Sequence, residues 1–382
     1  MSSLYLHIPF CKQACHYCDF HFSTSMKKKG ELVRCLVNEL RLRKEGIADT
    51  VETIYFGGGT PSLLSEKELE YVFEAIYEHF TVSNDAEITL EANPDDLSEE
   101  KIKQLANSPV NRLSIGVQSF FEEDLKLMHR AHNAQEALAS IRNAQKYFEN
   151  ISIDLIYGIP EMPLDRWKKN LEWAFQLEVP HLSCYALTVE PKTALESFIK
   201  KGLVPPVDEE MSKAHYELLL DETAYWGLVN YEFSNFGKPG FESQNNLAYW
   251  LGKPYMGVGP SAHSYDGLSR TWNVSNNSRY IKALETNVLP QEREVLSQRD
   301  RYNEYVMTRL RTQWGIQLEE VEGSFGTLFK TYLLDQAASH LNAGRLVLHE
   351  NALTVSRKGK FLSDGIASDL FLLPLESKEP LD

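Results

Sequence analysis

Residues 11–22 read CKQACHYCDFHF, with cysteines at Cys11, Cys15 and Cys18. Cysteines that merely pack sit among apolar neighbours; these sit among polar ones. Cys35 and Cys184 lie far along the chain. Three chemistries are open to such a loop. The thiols could be inert. They could hold zinc, with His16 or His21 completing a Cys3His set, although zinc sites usually draw on two separated cysteine pairs and no second pair exists here. They could instead hold an iron–sulfur cluster. In a cubane of four irons, three thiolates leave one iron open to an outside ligand.

An amino acid's amine and carboxylate could chelate that open corner. S-adenosylmethionine carries such a group, and an electron passed into its sulfonium would break a C–S bond to give a 5'-deoxyadenosyl radical. A second candidate is the run GGGTP at 57–61. It lacks the lysine of a phosphate-binding loop and the G-x-G-x-x-G spacing of a dinucleotide site. Its glycines would let a ligand approach the backbone closely, and a tight strand-to-helix turn would need the same residues. GVGPSA at 257–262 reads as a turn.

The surrounding elements must position these groups. Apolar strand patterns at 4–8, 51–58, 86–92, 111–118, 151–158 and 181–188 alternate with helical stripes at 27–46, 66–80, 98–106, 121–129, 133–147 and 164–178. Six such strand–helix repeats imply a parallel sheet with right-handed crossovers. An open doubly wound sheet and a barrel both satisfy the pattern. The cysteines follow strand one, the glycines strand two, and Glu91, Gln118, Asp154 and Tyr185 fall on strands three to six. Polar residues gathered at one end of nearly every strand converge only if the sheet curls, so a partial (β/α)6 TIM-type barrel over residues 1–235 is expected.

After a Pro- and Gly-bearing stretch at 202–210 the pattern changes. A helix at 208–227 and a strand at 229–233 precede a loop-rich region holding NNLAYW and GVGPSAHSYDG. The last ninety residues read as mostly helical, with a hairpin at 345–356. A smaller second domain over 236–382 is expected, similar to a winged-helix module but built for packing, because basic charge is sparse.

The net charge of −15 argues against nucleic acid, which is bound through clustered Lys and Arg. MKKKG at 26–30 is the one dense basic patch and reads as a solvated helix start. The N-terminus lacks a secretory pattern, and no apolar run is long enough for a membrane span, leaving only peripheral membrane contact open. Five cysteines in 382 residues are no disulfide scaffold; a reducing cytoplasm is expected.

The C-x3-C-x2-C loop after the first strand resembles the signature of the radical S-adenosylmethionine superfamily. YLHIPFC, YFGGGTPS, LEANP, RLSIGVQSF, HRAH, IDLIYGIP and GVGPSAHSY together resemble the oxygen-independent coproporphyrinogen III oxidases and their haem-chaperone (HemW) relatives, across residues 4–370. The resemblance implies a [4Fe-4S] cluster on Cys11, Cys15 and Cys18. It implies S-adenosylmethionine beside Tyr5 and Tyr17, its methionyl part on Gly58, Gly59 and Thr60, with further contacts from Glu91, Gln118, Arg130 and Asp154.

Two departures favour the haem-chaperone branch over the oxidases. Phe20 stands where the oxidases carry a further cysteine, and only ten residues precede Cys11. The branch implies binding of haem or a porphyrin and its transfer to an acceptor protein. Its H-N-x-x-Y-W motif reads NNLAYW here, with Asn245 in the lead position; asparagine is a poor haem-iron ligand. Asn246, Tyr249, Trp250 and His263 are the candidate haem contacts, by stacking or ligation, and Tyr249 and Trp250 would equally serve to seal a domain interface. An oxidative decarboxylase of porphyrinogen propionates is the alternative function, and a zinc-bearing binding protein the outsider.

Overall fold

The computed structural model describes residues 2–47 and 49–373. The first half runs β1 (Ser2–Ile8), α1 (Lys29–Leu42), β2 (Val51–Gly58), α2 (Glu66–His79), β3 (Val82–Ala92), α3 (Glu99–Ala106), β4 (Arg112–Gln118), α4 (Glu122–Leu127), α5 (Ala134–Ala144), β5 (Asn150–Tyr157), α6 (Leu164–Gln176) and β6 (His181–Ala186). The alternation follows from patterning and capping. α1 buries Leu32, Cys35, Leu36 and Leu40 on one stripe. Reciprocal side-chain caps, Ser65 with Glu68 and Asn133 with Glu136, start α2 and α5.

Strands β1 to β6 pair in parallel and in order. Their apolar residues are buried on both faces, as expected for a sheet covered by helices. Next come α7 (Ala194–Lys200), α8 (Glu209–Tyr225), β7 (Val229–Glu232), β8 (Asn235–Gly237), α9 (Gln244–Trp250), β9 (Tyr255–Val258), β10 (His263–Tyr265), β11 (Ser269–Asn273), α10 (Asn277–Glu285) and β12 (Gln291–Val295). The sheet order is β12-β11-β10-β9-β1-β2-β3-β4-β5-β6-β8-β7. Its two edges, β12 and β7, do not pair among the described residues. The barrel is therefore partial: six parallel strands flanked by short, mostly antiparallel additions.

The expected boundary at 235 falls inside β8. The region read from sequence as loop-rich supplies β9 to β12, and Met256, Val258, Tyr280, Ile281 and Leu284 share the barrel's core. Buried Glu39 of α1 ties this extension down, accepting from Tyr280 Oη at 2.5 Å, Asn273 Nδ2 at 2.8 Å and Gly259 N at 2.9 Å. A separate core begins at Tyr302. It joins α11 (Gln298–Leu310), α12 (Leu318–Phe325), α13 (Thr327–Asn342) and α14 (Ser363–Asp369) to a three-stranded sheet of β13 (Ile316–Gln317), β15 (Ala352–Val355) and β14 (Leu346–His349). The expected hairpin is β14–β15. Residues 374–382 of the expected second domain lie outside the described residues. Among the described residues no helix is long and apolar enough to cross a membrane.

Candidate functional site

Backbone hydrogen bonds pin the cysteine loop at the C-terminal end of β1. Cys11 N donates to Ser23 O at 3.1 Å, His16 N to Met128 O at 3.1 Å, and Leu195 N to His16 O at 2.8 Å. Cys11, Cys15 and Cys18 are free and half-buried. Burial raises the thiol pKa of Cys18 to about 11 and that of Cys11 less far. Arg130 answers this cost locally, donating from Nη1 to Cys15 Sγ at 3.2 Å.

The histidines that could have completed a zinc site are engaged elsewhere. His16 Nδ1 bonds Leu127 O at 2.8 Å, and its ring stacks on His129 at 4.5 Å. His21 Nε2 meets Asn277 Oδ1 at 2.7 Å. Among the described residues no group of three or more His, Cys, Asp or Glu gathers around one ion position. Each thiolate of a cubane binds a different iron, so its cysteines need not converge on a point.

Beside this loop the strand ends build a polar cup. Gly57 and Gly59 are glycines for want of space. A Cβ at Gly57 would lie 2.9 Å from the Tyr55 ring and 3.1 Å from Glu91 Oε1; one at Gly59 would lie 2.7 Å from Phe10 O. Gly58, at φ 105°, turns its N–H to Glu91 Oε2 at 3.2 Å. Tyr55 Oη donates to the other Glu91 oxygen at 2.8 Å, and Tyr5 stacks on Tyr55. Buried Thr60 accepts from Asn93 Nδ2 at 3.1 Å. Asn93 Oδ1 in turn takes Arg130 Nη2 at 2.6 Å, which also reaches Gly116 O at 2.8 Å. Gln118 leaves β4 at φ 68°, in the left-handed region, and a Cβ at Gly116 would press on Gln118 Nε2 and Arg130 Nη2. Asp154 accepts from Ser114 Oγ at 3.2 Å. Tyr17 lies against Arg130, and burial raises its pKa.

The cup's electrostatics suit a cationic guest. Burial lifts Glu91 to a pKa of about 7 and Asp154 to about 6, and the Asp154 charge adds to the rise at Glu91. Both carboxyls gain from a nearby positive charge. Arg130 Nε is buried without a partner, a donor left for a guest carboxylate. Amine, carboxylate and hydroxyl groups of an amino-acid-bearing nucleoside thus have complementary partners here, and three thiols adjoin them. The residues fit a cluster with S-adenosylmethionine.

The cup therefore gathers Tyr5, Tyr17, Gly58, Gly59, Thr60, Glu91, Gln118, Arg130 and Asp154 at one end of the barrel. Tyr55 and Asn93 were not singled out from sequence, although both sit inside the quoted motifs YFGGG and LEANP.

A cavity of about 700 Å³ opens between the barrel, α9 and the helices α11 and α12. Tyr185 and Glu232 form its barrel wall. Asn246, Tyr249 and Trp250 line it from α9, joined by Tyr255, Tyr265 and Tyr305. A polar chain reaches back toward the cup. Ser183 Oγ bonds Asn235 Oδ1 at 2.7 Å, Asn235 Nδ2 bonds Glu232, and Ser183 also stabilises the Asp154 carboxylate. His263 is not in this wall. It stacks on Trp272, two pairs further along β10–β11 than Tyr265 and Arg270, which do line the cavity. Asn245 also faces elsewhere. Its Oδ1 accepts from Thr53 Oγ1 at 3.2 Å and its N donates to Glu87.

Residues 5–174 match the Radical SAM superfamily, and residues 296–362 the HemN C-terminal domain. The chain is 35% identical to the Bacillus subtilis heme chaperone HemW over 376 residues, covering 96% of this chain and 98% of that protein. It is also 35% identical to the heme chaperone HemW of Lactococcus lactis, covering 97% of each. Its fold matches that of coproporphyrinogen III oxidase (HemN) from Escherichia coli with a TM-score of 0.85 at 23% identity, over 97% of this chain and 90% of that one. Similarity over nearly the whole length, a cysteine loop at the first strand and a helical C-terminal region of HemN type have one reading: the chain belongs to the radical S-adenosylmethionine superfamily and, within it, to the family of HemW and HemN proteins.

Proposed function

We propose that the chain is a cytoplasmic haem chaperone. It holds a [4Fe-4S] cluster on Cys11, Cys15 and Cys18, binds S-adenosylmethionine in the cup, and carries haem in the cavity for delivery to an acceptor protein. The observation that carries this reading is the adjacency of two unlike sites. A thiol-rimmed polar cup and an aromatic, arginine-bearing cavity share β6 and its polar chain. When bound, the cluster supplies an electron that can cleave the cofactor's C–S bond.

The chain's own residues do the rest. Arg130 Nε donates to the cofactor carboxylate, and Arg130 Nη1 balances the charge of Cys15. Glu91 and Asp154 accept from its ammonium and ribose hydroxyls, giving up their protons as the cation enters. Gly58, Gly59 and Thr60 would let the methionyl part approach the backbone, and Tyr5, Tyr17 and Gln118 would supply its further contacts. Tyr249, Trp250 and Asn246 would contact the macrocycle from α9.

Titration with haem tests the reading. Retention near one haem per chain, a shifted Soret band and loss of that band to an apo-haemoprotein are expected. Anaerobic conversion of coproporphyrinogen with release of carbon dioxide would overturn it in favour of the decarboxylase.

A further inference from the structure

The cavity's charges are not neutralised within the protein. Its walls carry five cations and three carboxylates, in a chain whose net charge is −15. Arg270 pairs with Glu304 at 2.9 Å and Arg309 with Glu320 at 2.8 Å. Arg311 pairs with Asp364 at 3.1 Å and lies over the rings of Phe233 and Trp250. Lys253 and Arg301 are left. Neither side chain has an ion pair or a hydrogen bond among the described residues, and Arg301 Nε is buried without a partner. A buried guanidinium N–H with no acceptor is costly unless a ligand supplies one.

Iron-ligating chemistry is missing from the same walls. Among the described residues no His, Cys or Met lines the cavity, the side chain in the usual histidine position points to Thr53, and burial raises the pKa of Tyr249 and Tyr255 away from the phenolate form.

We propose that Arg301 and Lys253 are the anchors for two carboxylates of a flat aromatic ligand, and that the cavity recognises the ligand's acidic edge rather than its metal. The inference rests on the porphyrin-carrier reading and deepens it. Each anchor supplies one charge-assisted contact, and Arg301 offers two parallel donors as well. The metal is then held loosely, which suits a ligand that must be surrendered.

Three probes in one buffer test this: haem, metal-free protoporphyrin, and protoporphyrin dimethyl ester, titrated into the full chain and into Arg301→Gln and Lys253→Gln. Haem and the metal-free diacid bind within a few-fold of each other. The diester binds at least about tenfold more weakly, and each substitution costs the diacids about tenfold and the diester almost nothing. Both variants keep the wild-type melting temperature, since neither side chain holds a structural contact. Equal binding of diacid and diester, or haem bound far more tightly than the metal-free ring, overturns the anchors while leaving the carrier reading intact. Failure of the wild-type chain to bind any of the three overturns the carrier reading itself, and the anchors with it.

Discussion

The cup and the cavity differ in how completely the protein satisfies its own polar groups. In the cup, Glu91 accepts from Tyr55 and Gly58, and Thr60, Asn93, Arg130 and Gly116 form a second connected set of hydrogen bonds, with one Arg130 guanidinium N–H left over. In the cavity, Lys253 and Arg301 are unpaired among the described residues, and the walls come from barrel strands on one side and from α9, α11 and α12 on the other. A network fixed in advance suits a guest whose reacting bond must be aligned. Loose aromatic walls suit a cargo that enters and leaves.

The largest effect that separates the two regions is loss of the cluster. Cys11→Ala, Cys15→Ala or Cys18→Ala abolishes iron and sulfide incorporation while leaving haem titration intact, because these residues are outside the apolar cores. Cys35→Ala, which removes a buried thiol near Ile281 O, leaves iron content unchanged. Gly59→Ala comes next. Its methyl group would meet the backbone oxygens of Phe10 and Ile8, so it costs about 1–3 kcal/mol in denaturant unfolding and sharply weakens S-adenosylmethionine binding. Arg130→Lys keeps the charge but cannot reach Cys15, Asn93 and Gly116 together; cofactor affinity drops about tenfold and haem affinity does not.

Acidity sharpens the contrast further. Glu91 and Asp154 have folded pKa values above their ordinary ones, so the ligand-free fold holds more protons than the unfolded chain between the two values. Its stability from these groups is present at low pH and is lost as pH rises through about 4 to 7. Cofactor binding, which favours the ionised carboxylates, tightens across the same window, as isothermal titration at pH 5.5 and 7.5 would register. The smallest effects lie at the cavity's margins. Trp250→Ala weakens haem binding several-fold without touching cofactor affinity, and His263→Ala changes neither, because its ring packs on Trp272.

The two regions also differed in how legible they were from sequence. Strand period, helix caps and the glycine run locate the cup, because its residues sit at the ends of six regular strands and a barrel end is where such ends meet. The positive φ of Gln118 and the hydrogen-bonding role of Asn93 carry no composition signal. The cavity could not be read in the same way. Tyr185, Tyr265, and Arg301 with Tyr305 come from three separate elements, β6, β10 and α11, with no shared motif, and only NNLAYW marked the place. Strands β9 and β10 were read as loop because both are short and GVGPSA, read as a turn, begins in the last two residues of β9. Pairing of β9 with β1 and of β10 with β9, not local propensity, makes them strands.

The central claim is that three cysteines leave one iron corner vacant for S-adenosylmethionine beside Arg130 and Glu91. Electron paramagnetic resonance of the anaerobically reconstituted, reduced protein, recorded with and without S-adenosylmethionine, tests it directly. A clear change in the cluster's g-values on addition, abolished in Cys18→Ala along with the signal itself, is the predicted result. A protein with its full complement of iron and sulfide whose spectrum ignores the cofactor would contradict the account.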